Sequence, residues 1–409
     1  MKVTLITARM RFDTAGGVTA TETRTGDGYA SPLRRAPDGK IHLPGTTVAG
    51  SLRAHCARHD GALDALFGNK PPTRSSDRRA DAIPSAIQVL GTALRPAGES
   101  VTHRRSAIDR ERGAARTHHY YEVELLPAGT EFDVFLRWDD PDAPLRDRFL
   151  AALTGWHPML GRGVTRGAGR CSLIGWGEAE YDLSTGPGLL SWIRDTDIQS
   201  YPEPTKPVDT PEPEIALRAE LSIVDAVHCG TGDAQDNLLP TFRLRTDGDY
   251  AIPGSTLKGV LRSRAEYICR VVGAGACTDQ SCGECRPCTL FGHANAAGGR
   301  RGRIAVDDAV IREPVIAHRN HVAIDRFTGG ARDTALYTHE VVASGTFTLH
   351  VRALDAIDEA DERLLHAVLA DLHDGYTGIG ARTTAGYGTV AARTGLRTDL
   401  PLTDLATAL

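Results

Sequence analysis

Four cysteines, Cys277, Cys282, Cys285 and Cys288, form the strongest chemical pattern in the sequence. Their x4, x2 and x2 spacing allows four thiolates to converge on one tetrahedral ion, as in structural zinc sites. His293 is a candidate replacement for one of these ligands. Disulfide pairing is the alternative, but proteins of the cytoplasm rarely keep disulfides. We therefore predict a loop that binds structural Zn²⁺.

Two loop aspartates, Asp27 and Asp236, are the candidate catalytic residues. Each follows the first predicted strand of its half of the chain and precedes a predicted helix. A carboxylate beside an RNA phosphate can hold Mg²⁺ or Mn²⁺, or assist attack by a 2′-hydroxyl. Aspartates in loops more often only cap turns, so both interpretations stay open.

Glycine-rich segments at residues 161–169 and 378–388 contain Arg166 and Arg382. Glycines let backbone amides approach phosphates closely, and arginine adds charge-assisted hydrogen bonds. A glycine cluster before a strand is often only a turn, which is the alternative. We predict that both arginines contact RNA phosphates.

Predicted helices begin after Pro44-Gly and Pro253-Gly, with Thr46 or Ser255 as candidate caps. Free amides and the helix dipole make such a terminus able to hold a phosphate. The basic residues on these helices are the further candidate RNA contacts. They are Lys258 and Arg262 in the second half and Arg53 in the first. An ordinary capped helix is the alternative.

The motifs occur twice in the same order, as a tandem duplication requires. The matched segments are 43–53 with 252–262, 66–68 with 290–292, 107–110 with 323–326, 128–138 with 344–354, and 161–169 with 378–388. A proline-rich stretch between the copies is typical of a semi-rigid linker. We therefore predict a first domain at 1–199, a linker at 200–214 and a second domain at 215–409.

Each copy shows strand and helix patterns in the order β-α-β-β-α-β, which predicts an α+β fold of the ferredoxin-like split type. Each also has an Ile-Asp-Arg segment between strand-like residues, which predicts a protruding hairpin. Arg110 and Arg326 in these segments are candidate RNA contacts. An apolar tip such as Phe327 can wedge between bases.

A hydrophobic content of 41% and a charged content of 24% are typical of soluble globular proteins. The sequence has no apolar run of membrane-spanning length and no signal-peptide pattern, so we expect a cytoplasmic protein without membrane contact. The net charge of −5 does not by itself indicate nucleic acid. However, ten basic residues lie between Lys70 and Arg116.

Together these motifs resemble the RAMP superfamily of CRISPR systems. The resemblance is carried by Ile252-Pro-Gly-Ser-Thr-Leu-Lys-Gly-Val-Leu-Arg262, Cys285-Arg-Pro-Cys-Thr-Leu-Phe-Gly292, Ala323-Ile-Asp-Arg-Phe-Thr-Gly329, Thr338-His-Glu340 and Gly380-Ala-Arg-Thr-Thr-Ala-Gly-Tyr-Gly388. The second copy is similar to the backbone subunit of type III effector complexes, and the first is a more divergent version. The resemblance implies two RRM-derived RAMP domains with thumb hairpins. It also implies guide RNA, target RNA and other CRISPR effector subunits as partners.

Cleaving members of this family cut target RNA with a divalent metal and an aspartate just before a proline. Here Leu238 and Leu239 precede Pro240, and Asp236 is the nearest acid. A catalytically silent scaffold is therefore an alternative to a metal-dependent ribonuclease. A second alternative is a guide-precursor-processing endoribonuclease, for which His228 is the candidate residue.

Overall fold

The computed structural model shows ordered elements in both halves of the chain. It describes residues 1–21, 24–26, 28–69, 83–108, 115–195, 197, 200–208, 214–230, 238–241, 248–278, 281–295 and 298–397. Asp27, Arg110 and Asp236 lie outside the described residues, so their functions stay predictions. None of the helices in the described part of the chain is long and apolar enough to span a membrane.

The first copy is built on a four-stranded antiparallel sheet. The strands of the first copy, of which four form this sheet, are β1 (Lys2–Phe12), β2 (Arg24–Gly26), β3 (Gly28–Ser31), β4 (Ile87–Arg95), β5 (Val101–Ile108), β6 (Ala115–Leu125), β7 (Glu131–Asp139) and β8 (Cys171–Asp182). Its helices are α1 (Gly45–His59), α2 (Ala143–Thr154) and α3 (Gly186–Arg194). The core strands lie in the order β4-β7-β1-β8. Residues of β1 alternate between two cores: Ile6 and Met10 pack with α1 and α2, whereas Val3 packs with Trp192 and Tyr201.

The second copy repeats this arrangement with longer hairpin strands and a shorter last strand. Its strands are β9 (Ile215–Ile223), β10 (Leu238–Leu239), β11 (Ala251–Ile252), β12 (Gly292–Asn295), β13 (Gly298–Arg301), β14 (Ile304–Val306), β15 (Ala309–Ile324), β16 (Ala331–Ala353) and β17 (Val390–Ala392). Its helices are α4 (Gly254–Val271), α5 (Arg286–Phe291) and α6 (Glu359–His373). The main strands lie in the order β15-β16-β9-β17, and β14 also pairs with β16. The same strand order in both halves confirms the mixed α+β fold and the duplication.

The first helix of each copy buries one apolar stripe. On α1 this stripe is Val48, Leu52 and Cys56, at the four-residue spacing of a helix face. The predicted caps Thr46 and Ser255 are wrong, because the cap positions are prolines without a side-chain hydrogen bond. On α4 the cap comes instead from a distant residue, since Asp308 Oδ1 accepts a 2.6 Å hydrogen bond from the Gly254 amide.

The predicted hairpins are present in both copies and share one register. In the first, β5 pairs with β6 from Val101 opposite Leu125 to Ile108 opposite Ala115. In the second, the corresponding last pair is Ile324 opposite Ala331. The described hairpin tip of the second copy, residues 325–330, extends beyond the sheet. Residues at the same distance from the two Ile-Asp-Arg segments are therefore structural counterparts.

The described part of the predicted linker, residues 200–208 and 214, packs on the first copy. Trp176 and Lys206 exchange two backbone hydrogen bonds of 3.1 and 2.9 Å. The Lys206 ammonium lies 4.0 Å from the centroid of the Trp176 ring and 2.9 Å from a Glu178 oxygen. Tyr201 meets Phe135 edge to face. The proline-rich segment therefore extends the edge of the sheet at β8.

The two copies meet where the glycine-rich loop of the first approaches α4 and β14 of the second. A Cβ atom at Gly167 would lie 2.9 Å from the Val306 carbonyl oxygen, and φ at Gly167 is +82°, so glycine is needed on both counts. Asp307 lies at this junction, 3.7 Å from Arg170 of the first copy. Its carboxylate also accepts a 2.9 Å hydrogen bond from the buried Arg352. We define these contacts as the junction.

Replacing Asp307 with alanine should strongly destabilise the protein. The change leaves the Arg352 guanidinium, which is 3% exposed, without its carboxylate. We expect a loss of about 3 kcal/mol in the free energy of unfolding, because an uncompensated buried charge is costly. Urea denaturation measures it. The control is Asp355→Ala, which breaks an exposed pair with Arg301 and should cost well under about 1 kcal/mol. Equal losses of unfolding free energy in both variants would contradict the proposed stabilising role of the buried Asp307–Arg352 pair.

Candidate RNA interface and cysteine cluster

The four predicted metal ligands lie together around the start of α5. Their sulfur atoms are all within 4.8 Å of one another. Cys277 Sγ is 3.8 Å from Cys285 Sγ and 3.4 Å from Cys288 Sγ. A tetrahedron with Zn–S bonds of about 2.3 Å has edges of about 3.8 Å, whereas bonded disulfide sulfurs are about 2.05 Å apart. The cluster therefore fits a metal ion such as zinc, and its cysteines are free thiols rather than disulfides.

The acidity of the thiols also fits a cation. Backbone amides of Cys285 and Glu284 lower the pKa of the Cys282 thiol to about 6. Burial raises the pKa of Cys285 to about 12, so that sulfur becomes a thiolate at neutral pH only beside a compensating positive charge. His293 approaches Gly283 of the loop but is not a member of the four-sulfur group.

Arg53 and Arg262 occupy equivalent places on α1 and α4, and both hold the chain together. Arg53 donates a 2.7 Å hydrogen bond to Asp64 and a 3.3 Å hydrogen bond to the Phe67 carbonyl. Arg262 donates to the Gly292 carbonyl at 2.6 Å and, at 3.5 Å, to Cys288 Sγ. Each guanidinium thus bonds its helix to a Leu-Phe-Gly segment. This bond is a structural reason why the arginine and the Leu-Phe-Gly segment recur together in both copies. Both arginines are engaged within the chain, and their predicted phosphate contacts stay predictions.

Three cations, Arg105, Arg166 and Lys258, lie near one another at the junction, and we name the space between them the cleft. Lys258 is half-buried, and burial, followed by the nearby charges of Arg166 and Arg262, lowers the pKa of Lys258 to about 7. Burial and then Arg166 also lower the pKa of Arg105, on hairpin strand β5. Arg166 donates a 2.8 Å hydrogen bond to the Tyr121 hydroxyl. Asp308 interacts with Arg105 and supplies one negative charge to this group, so a bound anion would balance part of the remaining positive charge.

An arginine from each glycine-rich loop lies over a tyrosine of the hairpin. Arg382 Cζ is 4.9 Å from the centroid of the Tyr337 ring. In the first copy, Arg162 Cζ is 5.7 Å from the centroid of Tyr121. Arg382 has φ of +60°, an uncommon left-handed conformation for a residue other than glycine. The loop thus holds this guanidinium at the hairpin base.

The hairpin tip of the second copy presents Arg326 and Phe327 to solvent. Asp325 Oδ1 accepts 2.9 Å hydrogen bonds from the amides of Phe327 and Thr328, so the backbone of the tip is ordered before any partner binds. Phe327 is 98% exposed. An exposed aromatic ring forgoes about 2 kcal/mol of hydrophobic stabilisation, which is consistent with a ring that packs against a partner.

The segments that precede the first helices are held in the same way in both copies. Strands β3 and β10 run parallel to the second strand of their hairpins. Glu124 accepts a 2.8 Å hydrogen bond from the Leu33 amide, and Glu340 accepts a 3.2 Å hydrogen bond from the Thr241 amide. The loops of the two predicted catalytic acids therefore lead into segments anchored at the hairpin bases.

His228, the candidate residue for guide processing, belongs to the core. Its side chain is 4% exposed, and its Nδ1 lies 2.8 Å from the Glu340 carbonyl oxygen. Burial lowers the pKa of His228, which keeps the ring neutral at physiological pH. A buried ring of this kind is poorly placed to exchange protons with an RNA backbone.

Tyr121 and Tyr337 were not predicted from the sequence, and Arg105 was included only among the basic residues of its hairpin segment. The tyrosines each follow the Ile-Asp-Arg segment of their copy at the same distance, so the duplication contained a usable signal. Arg105 is matched by His321 in the second copy, so the duplication did not single it out. Its importance comes from proximity to Arg166, which only the folded chain shows.

The sequence profile of the RAMP superfamily matches residues 18–172 and again residues 220–391. No curated protein matches the chain significantly. The two matched regions cover most of the sequence and coincide with the two copies of the fold. The chain therefore belongs to the RAMP superfamily as a tandem two-domain protein, and this membership supports a CRISPR-associated RNA-binding subunit.

Proposed function

We propose that the chain is a fused backbone subunit of a type III CRISPR effector complex, which holds guide RNA and positions target RNA. The observation that carries this proposal is the group of cations Arg105, Arg166 and Lys258 in the cleft at the junction. Lys258 has no carboxylate partner among the described residues. Asp308 interacts with Arg105 alone among these cations, so a phosphate of RNA would balance the charge of Lys258 and Arg166 and would bridge the two copies.

The domain division belongs to the same proposal. We assign residues 1–199 and 215–409 to two RAMP domains joined by residues 200–214. Within each, four antiparallel strands in the order β4-β7-β1-β8, or their counterparts, pack with two helices. This order supports a ferredoxin-like, RRM-derived core with a thumb hairpin at its edge.

Each copy also has an uncovered surface that corresponds to the half of the junction contributed by the other copy, which supports assembly with other effector subunits. Gly386 corresponds to Gly167, yet a Cβ atom there would have no described atom within 4 Å. In the first copy, the carbonyl oxygen of Val89 lies beside Gly45 as that of Val306 lies beside Gly254. Leu90 therefore occupies the place of Asp307, and it is 50% exposed. A contact of this head-to-tail kind can continue from one subunit to the next.

Removing two cations from the cleft should reduce the salt dependence of RNA binding. We expect Lys258→Ala/Arg166→Ala to bind guide RNA more weakly and to lower the slope of log K against log salt by about 1.4, because each phosphate contact on a single strand contributes about 0.7. Filter binding over a salt series measures the slope.

The matched control is Arg301→Ala/Arg363→Ala, which removes the same charge from exposed ion pairs near α6. It should leave the slope close to that of the natural chain. An unchanged slope in the cleft variant would show that these cations do not contact RNA phosphates.

We further propose that Asp27 and Asp236 support metal-dependent cleavage of target RNA. A guide-bound complex should then cut labelled target RNA with Mg²⁺ or Mn²⁺, and EDTA should stop the reaction. Asp27→Ala and Asp236→Ala should each remove one cut while RNA binding persists. Intact target under every metal condition would establish the alternative, a catalytically silent scaffold.

The cysteine cluster is proposed to hold structural Zn²⁺. Purified chain should contain about one zinc ion, measured by mass spectrometry of the metal, and Cys282→Ser should lose it. The buried Cys56 lies outside the cluster, so Cys56→Ala should keep the ion. The His293→Ala variant should also keep it if four sulfurs complete the coordination. Full zinc occupancy in Cys282→Ser would rule out the four-cysteine assignment.

A further inference from the structure

A column of aromatic rings runs from the interior of the second copy to the base of its hairpin. His228 stacks on His339 with centroids 4.8 Å apart, and His339 lies 4.9 Å from His321. His321 then stacks on Tyr337, with centroids 5.3 Å apart and planes inclined by 18°. The guanidinium of Arg382 lies over the ring of Tyr337.

The inner part of the column is buried. His339 is 1% exposed, and burial, followed by the charges of His228 and Arg382, lowers the pKa of His339 to about 4. His321 Nε2 lies 2.6 Å from the hydroxyl of Tyr387, which is itself 3% exposed. These packed rings support the Tyr337 ring from one side, as a flat platform.

The outer end of the column is adaptable. Arg382 is exposed on the glycine-rich loop and has no carboxylate partner among the described residues. The loop has open space at Gly386, where a Cβ atom would meet no described atom within 4 Å. The guanidinium can therefore move outward without breaking an ion pair.

We propose that Tyr337 and Arg382 form a clamp for one unpaired nucleobase of the bound RNA. The base stacks on Tyr337, and the Arg382 guanidinium plane covers its other face. Unpaired RNA bases stack on aromatic rings and on guanidinium groups in this way. This inference rests on the proposed RNA-binding function and adds a base-stacking site to the phosphate contacts of the cleft.

The first copy supports the clamp independently. Tyr121 is the counterpart of Tyr337 in the shared hairpin register, and Arg162 reaches over it from the equivalent glycine-rich loop. The supporting rings differ, because Arg105 stands opposite Tyr121 where His321 stands opposite Tyr337. The tyrosine and arginine pair recurs although its surroundings have changed. Each chain would therefore hold two bases, one in each copy.

The test uses the full chain and a series of single-stranded RNAs that carry one 2-aminopurine at successive positions. Stacking quenches this fluorophore, so the natural chain should quench it strongly at one position or at a regular set of positions. Tyr337→Leu should restore fluorescence at the positions held by the second copy and weaken binding about ten-fold. It should leave the salt slope unchanged. Tyr337→Phe keeps the ring and should behave like the natural chain.

Tyr121→Leu should release a different set of positions, which keeps the clamp testable if the Tyr337 variant folds poorly. Quenching that persists in both leucine variants, with RNA fully bound, would overturn the clamp. Uniform fluorescence along RNA bound by the natural chain would overturn it equally. If the natural chain does not bind RNA at all, the proposed function fails instead, and the binding isotherm separates the two outcomes.

Discussion

The glycine-rich loop of the first copy contacts the start of α4 in the second copy, and the group of cations at the junction depends on this contact. Gly167 approaches Val306 too closely for any side chain, and this approach brings Arg166 beside Lys258. The buried pair of Asp307 and Arg352 fixes the second copy's side of the contact. Without the junction, Lys258 would lie on a different surface from Arg105 and Arg166, which both belong to the first copy and lie beside Tyr121.

The two copies stabilise the same scaffold with different chemistry. In both, an arginine of the first helix is bonded to the backbone of a Leu-Phe-Gly segment. In the first copy its charge is balanced by Asp64 in a short 3-10 helix. In the second it is balanced by Glu266, and the same guanidinium reaches the cysteine cluster. The metal loop therefore reinforces an anchor that the first copy builds from side chains alone.

The hairpins connect this scaffold to function. Their bases are held by Glu124 and Glu340, which bond to the segments before the first helices. Their stems place Tyr121 and Tyr337 beneath arginines of the glycine-rich loops. The tip of the second hairpin leaves Phe327 almost fully exposed. The proposed base stacking and wedging therefore belong to the stem and the tip of the hairpin, whereas the proposed phosphate contacts come mostly from the glycine-rich loop and α4.

The sequence by itself determined the duplication, the α+β element order, the hairpins and the cysteine cluster, because each depends on local spacing or on periodic patterns repeated along the chain. It did not determine which basic side chains are left to contact a ligand and which are bonded within the chain. Arg53 and Arg262 have the same motif context as Lys258, yet their guanidiniums are engaged by carbonyls and carboxylates that lie close only in the folded chain. Likewise, the cap of α4 comes from Asp308, and the cleft pairs Arg105 with Arg166. Such contacts join residues far apart in the chain, and only the tertiary structure brings them together.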